Sequence, residues 1–96
     1  MNAEQRLREL SEEYRGMAKA EPDEPARYYH NARAGAYGQA ADIVREDREG
    51  AVRRLRAMSK WWIDLTNMTP GSSFRPYHTT LAETYDHAAG IIAGSE

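Results

Sequence analysis

Residues 45–54 read REDREGAVRR, and whether a helix runs through this stretch or stops inside it decides the fold. Before it, Tyr29, Ala32, Ala36, Ala40 and Ile43 keep a 3.6-residue period. After it, Ala51, Leu55, Met58, Trp62 and Leu65 continue in the same phase. The in-phase position between the two runs is Asp47, the one charged residue on the stripe. No strong turn signal interrupts the ten residues, which favours one helix over about 25–66, roughly 60 Å long at 1.5 Å per residue. The alternative is that Asp47 caps a new helix and Gly50 marks a corner. Length statistics point that way, since helices of about forty residues are rare in small domains.

The flanking segments are also helical. Over 2–20, Ala3, Leu7, Leu10, Tyr14 and Met17 form a heptad-like seam, with Glu4, Arg8, Glu9, Glu12, Glu13 and Arg15 on the other side. Glu4 with Arg8 and Glu12 with Arg15 are spaced as helix-surface ion pairs, and Asn2 with Gln5 fits a capping box. EPDEP (21–25) ends this helix at Pro22 and restarts at Asp23 and Pro25. NMTPGSSFRP (67–76) reads as a loop built on Pro70-Gly71. A last helix follows from Pro76 or from Thr80, where Thr80 and Glu83 match a capping box. Leu81, Tyr85, Ala88 and Ile92 mark its buried face, and Gly90 and Gly94 weaken its end. No strand-like alternation, low-complexity tract or internal repeat is read. The expectation is a single all-α domain over 1–96. It is a small helical bundle of three helices with a long central one, or of four if the chain breaks near 47–50.

Composition narrows the function. The chain has 96 residues, 41% hydrophobic and 29% charged, and a formal net charge of −2. That balance marks neither a disordered chain nor a strongly basic nucleic-acid binder. Cysteine is absent, which excludes disulfides, thiolate metal sites and cysteine nucleophiles and suits a reducing cytoplasm. MNAEQRLREL lacks the apolar core of a signal peptide, and no apolar run is long enough to span a membrane.

Four features are candidate sites. ARAGAYGQAA (32–41) puts two glycines inside a helix, at about 1 kcal/mol each relative to alanine. Either Tyr14 and Met17 pack over it, or Ala34, Gly35, Gly38 and Ala41 form a self-association face. Arg45, Arg48, Arg53, Arg54, Arg56 and Lys60 form a basic segment interleaved with Glu46, Asp47 and Glu49. It reads as a solvated face or, as the alternative, a phosphate-contacting one. His30, His78 and His87 sit in no metal motif and read as surface residues. Glu83 and His87 share a helix face but name no third ligand, so neither a metal nor another cofactor is expected. No nucleophile elbow or phosphate loop is present, which argues against an enzyme. The fourth feature is aromatic: Trp61, Trp62, Phe74 and Tyr77 bracket the 67–76 loop. Trp62 continues the core stripe, Trp61 lines up with Arg54 on the polar flank, and Ile63 falls on a third side. The end of this helix is therefore apolar nearly all round and expected to be covered on several sides.

The phrase ARYYHNARAGAYGQAADIVRE (26–46) resembles segments of short helical proteins of unknown role from phages and mobile elements of GC-rich bacteria. The resemblance implies an accessory or inhibitor protein that works by binding, and it carries no functional residues. The expected function is a non-enzymatic helical interaction module, self-associating and cytoplasmic. It would contact a protein partner through Trp61, Arg54, Phe74, Arg75 and Tyr77, because Trp and Arg dominate binding energy at interfaces.

Overall fold

The computed structural model describes residues 2–94 and contains four α-helices: α1 (Ala3–Ala20), α2 (Glu24–Glu46), α3 (Ala51–Met68) and α4 (Arg75–Gly94). The helix expected over 25–66 is broken, which corrects the three-helix form. At Asp47 the backbone leaves helical geometry (φ −149°, ψ 77°), and its N–H closes the last turn of α2 on the Ile43 carbonyl at 2.8 Å. Its carboxylate accepts the Gly50 N–H at 3.0 Å. An aspartate side chain offers the backbone a local alternative to helix continuation, and here the chain takes it. Gly50 is buried, and a Cβ there would run into the Asp47 carboxylate.

The other ends follow from local chemistry. Asn2 Oδ1 accepts the Gln5 N–H at 2.7 Å, and Asp23 accepts the Ala26 N–H at 3.0 Å with Pro25 in the first turn of α2. Both expected ion pairs of α1 form, Arg8 with Glu4 at 3.1 Å and Arg15 with Glu12 at 2.8 Å. Helix α4 starts at Arg75. The Thr80 hydroxyl donates back to the Pro76 carbonyl at 2.9 Å, so Thr80 caps nothing. On α1 the buried line runs Ala3, Leu7, Leu10, Ser11, Ala18 and leaves Met17 exposed. A 3.6-residue helix drifts off a strict heptad seam within a few turns.

The helices pair as two antiparallel hairpins, α1 with α2 and α3 with α4, joined mainly through α2 and α4. Helices α2 and α4 run parallel: Tyr28 lies against Tyr77, and further along both helices Tyr37 reaches His87. Helices α1 and α3 share no contact among the described residues, and the molecule is flat, 38 × 33 × 18 Å. The long middle segment flanked by two returning helices is thus replaced by two side-by-side hairpins. Leu7, Leu55, Ile92, Tyr37, Tyr85 and a run of alanines fill the core.

The hairpins are copies of one another, which overturns the expectation of no internal repeat. With an offset of 48 residues, α1 and α3 begin and end at equivalent positions. AEQRLRELS (3–11) faces AVRRLRAMS (51–59). RYYH (27–30) faces RPYH (75–78), and AGAYGQAADI (34–43) faces AETYDHAAGI (82–91). The bonds repeat too. Ser11 Oγ donates to the Ala34 carbonyl and Ser59 Oγ to the Ala82 carbonyl, each at 2.7 Å and each spanning 23 residues. Across the junction, the Tyr37 hydroxyl and His87 Nδ1 are 2.6 Å apart, and the Tyr85 hydroxyl donates to Gln39 Oε1 at 2.6 Å. Residues 39 and 87 are equivalents, so the two bonds are related by a pseudo-two-fold axis along α2 and α4.

Candidate functional site

Trp61 and Trp62 sit 100° apart on α3 and separate as that geometry requires. Trp62 is half-buried against the core, not fully inside it, and is the hub of a ring cluster. Its indole meets Trp61 edge-on at 4.9 Å, Tyr77 edge-on at 6.3 Å and His78 at 5.3 Å. His78 in turn stacks with Phe74 at 6.5 Å, and Tyr77 reaches across to Tyr28 of α2 at 5.1 Å. Burial, with Tyr28 adding to it, raises the Tyr77 hydroxyl pKa above its ordinary value.

Phe74 and Tyr77 do not cover Trp61. Trp61 remains 59% exposed and Phe74 60%, with Ile63 at 48% and Met68 at 77%. The end of α3 is apolar on several sides and is not buried by its own chain. Arg54 lies two turns before Trp61 on the same face, exposed and without an ion pair among the described residues. Arg75 instead lines a groove of about 360 Å³ between α3 and α4 with Ile63, Thr79, Glu83 and Asp86. The hydroxyls along that groove are committed: Ser59, Thr66 and Thr79 each donate to a helix carbonyl.

The basic segment divides. Arg45 and Arg48 line a recess beside Asn2 and Glu4 at the start of α1. Arg53, Arg54 and Arg56 project from α3 without ion pairs among the described residues, and Lys60 is held by Asp64 at 2.8 Å. In the small-residue tract, Ala34 and Ala41 are buried, and Ser11 covers Gly38, whose Cβ would lie 3.3 Å from Ser11 Oγ. Gly35 is exposed with open space beside it. Tyr14 stacks on Tyr37 at 5.7 Å, while Met17 points away and is not part of the cover.

Of the three histidines expected at the surface, His87 is exposed and His30 and His78 are partly buried. The His30 side chain is 17% exposed, and Nδ1 of both His30 and His78 is buried without a hydrogen-bond partner among the described residues. His87 meets Tyr37. His30 and His78 are equivalents, each tilted against an aromatic ring, Tyr14 at 6.1 Å and Trp62 at 5.3 Å. The doubled R-x-Y-H phrase was the signal that could have found them. Among the described residues no three acidic or histidine side chains converge as metal ligands, and no helix is long and apolar enough to cross a membrane. No protein-family model matches the chain, and no curated protein or solved structure gives a significant match.

Proposed function

We propose that the protein is a non-enzymatic helical module that acts by binding another protein, as an accessory or inhibitor protein of a phage or mobile element would. The observation that carries this reading is Trp61, 59% exposed and linked through Trp62 and His78 to Phe74, itself 60% exposed. Exposed aromatic surface is costly in water, and its burial against a partner recovers that free energy. The committed hydroxyls of the α3–α4 groove support the non-enzymatic part. The cysteine-free composition fits work in a reducing cytoplasm. Self-association through the 32–41 tract is not part of the proposal, because Ala34 and Ala41 are already covered within the chain.

The test is affinity purification from the native host with wild type and Trp61→Ala. The expected result is loss of the co-purifying protein while stability stays within about 0.5 kcal/mol, as for exposed positions generally. Unchanged recovery with Trp61→Ala would remove the reading. A second reading, nucleic-acid regulation, draws on the unpaired Arg53, Arg54 and Arg56 together with Arg45, Arg48 and Lys60. A salt-sensitive gel shift lost in Arg53→Glu/Arg54→Glu would favour it.

A further inference from the structure

The duplication supplies an internal control for α3. The fold places the same demands on α1 and α3, so residues that differ at exposed, equivalent positions answer to something outside the fold. The outer face of α3 carries Arg54, Ala57, Trp61, Asp64 and Met68, all exposed and spaced 3-4-3-4 as in a helix-pairing seam. The equivalents on α1 are Arg6, Glu9, Glu13, Gly16 and Ala20. Where α1 has Glu13, α3 has Trp61; where α1 has Glu9 and Ala20, α3 has Ala57 and Met68. Glu12 is matched by Lys60. The α1 hairpin folds with a carboxylate at the place of Trp61 and a methyl group at that of Met68, so an indole and a thioether are not needed to hold α3.

Charge selects the occupant. From Gly50 to Ile63 the chain has Arg53, Arg54, Arg56 and Lys60 and no acid. A second copy of this chain offers little to them. On its α1, Glu4, Glu12 and Glu13 are paired with Arg8, Arg15 and Arg6, which leaves Glu9 as the one α1 carboxylate outside an ion pair among the described residues. Asp64 is held by Lys60, and Glu83 and Asp86 share the α3–α4 groove with Arg75, so no helix face of free carboxylates is presented. Ile63 and Met68, aliphatic and exposed, do not suit base stacking, and a chain of net charge −2 does not attract a polyanion as a whole. Resting on the protein-binding reading above, we infer that the α3 seam docks an acidic amphipathic helix of another protein. Its apolar stripe covers Trp61 and Met68, and its carboxylates meet Arg54 on the seam and Arg53 beside it.

The probes are a 21-residue Leu/Glu amphipathic helical peptide, its Leu/Lys counterpart and an oligo-dT, each titrated into the isotope-labelled full chain and read by amide shifts. The expected result is saturable shifts along 53–68 with the Glu peptide only. Trp61→Ala and Arg53→Glu/Arg54→Glu should each weaken them at least tenfold. Shifts centred on α1, preference for the Lys peptide or oligo-dT, or a solution mass of twice 10.9 kDa lost in Trp61→Ala would overturn the inference. A photo-crosslinking residue at position 61 in the native host separates the two failures. Protein adducts there, with no Glu-peptide binding, sink the acidic helix and leave the protein-binding reading standing. Adducts to nucleic acid alone sink both.

Discussion

Leu7 and Leu55 are the sharpest test of the duplicated architecture. Both are fully buried, and they occupy equivalent positions on α1 and α3. Leu→Ala at either site removes three carbons, about 2.4 kcal/mol at ~0.8 kcal/mol per buried methylene, and the residual cavity adds roughly 0.5–1.5 kcal/mol. Helices α1 and α3 are the outer members of a slab 18 Å thick, so partial collapse is easy and the expected cost is about 3 kcal/mol each. In a chain of this size that lowers Tm by roughly 12–24 °C. Because α1 and α3 do not touch, the double variant should lose about 6 kcal/mol, enough to unfold much of a typical small domain. Urea unfolding followed by far-ultraviolet circular dichroism measures all three. A Leu7→Ala cost near 3 kcal/mol beside a Leu55→Ala cost under about 1 kcal/mol would refute energetic equivalence of the hairpins.

Other expectations concern the corner, the junction and pH. Asp47→Ala removes the side chain that accepts the Gly50 N–H and should cost about 1 kcal/mol by the same urea assay. His87→Gln places at 87 the residue found at the equivalent position 39 and should be tolerated within about 0.5 kcal/mol. His87→Leu leaves the Tyr37 hydroxyl unpartnered and should cost about 1–3 kcal/mol. Equal costs for those two variants would break the pseudo-two-fold assignment of the junction. Burial raises the pKa of Tyr37 and of Tyr85, with Tyr14 adding at Tyr37 and Tyr77 at Tyr85, and Tyr77 is raised likewise. The unfolded chain then gives up these protons first. Stability should be whole below about pH 10 and fall as pH rises from there through the raised folded values, a trend that melting curves from pH 8 to 11 would show.

Helical class, three of the four helix starts and both α1 ion pairs could be read from periodicity and caps, because those signals are local. The break at Asp47 was harder: the hydrophobic phase continues through it, and the deciding bond is one side chain to an amide three residues on. The duplication was hidden for a related reason. Most of the kept residues face inward, spaced three or four apart, so unrelated outer residues interrupt all but short shared runs. A-x-x-R-L-R-x-x-S, R-x-Y-H and A-x-x-Y-x-x-A-A-x-I preserve enough spacing to be seen by eye. At the aromatic site, the different environments of Trp61 and Trp62 were legible from their 100° separation. That Phe74 would leave Trp61 open was not, since loop geometry and ring stacking on His78 decide it.

A duplicated fold sorts its own residues. What occurs in both halves with the same bond, such as Ser11 and Ser59 or Tyr37 and Tyr85, is accounted for by folding. What differs between halves but makes an equivalent bond, such as Gln39 and His87, is accounted for by the junction. Glu13 and Trp61 fall in neither group. Glu13 rests 3.9 Å from Arg6, whereas Trp61 touches Trp62 edge-on and otherwise faces water. A side chain that large, at a position where the other hairpin carries a carboxylate, adds nothing the fold requires. The surface it creates is the one that the proposed partner would cover.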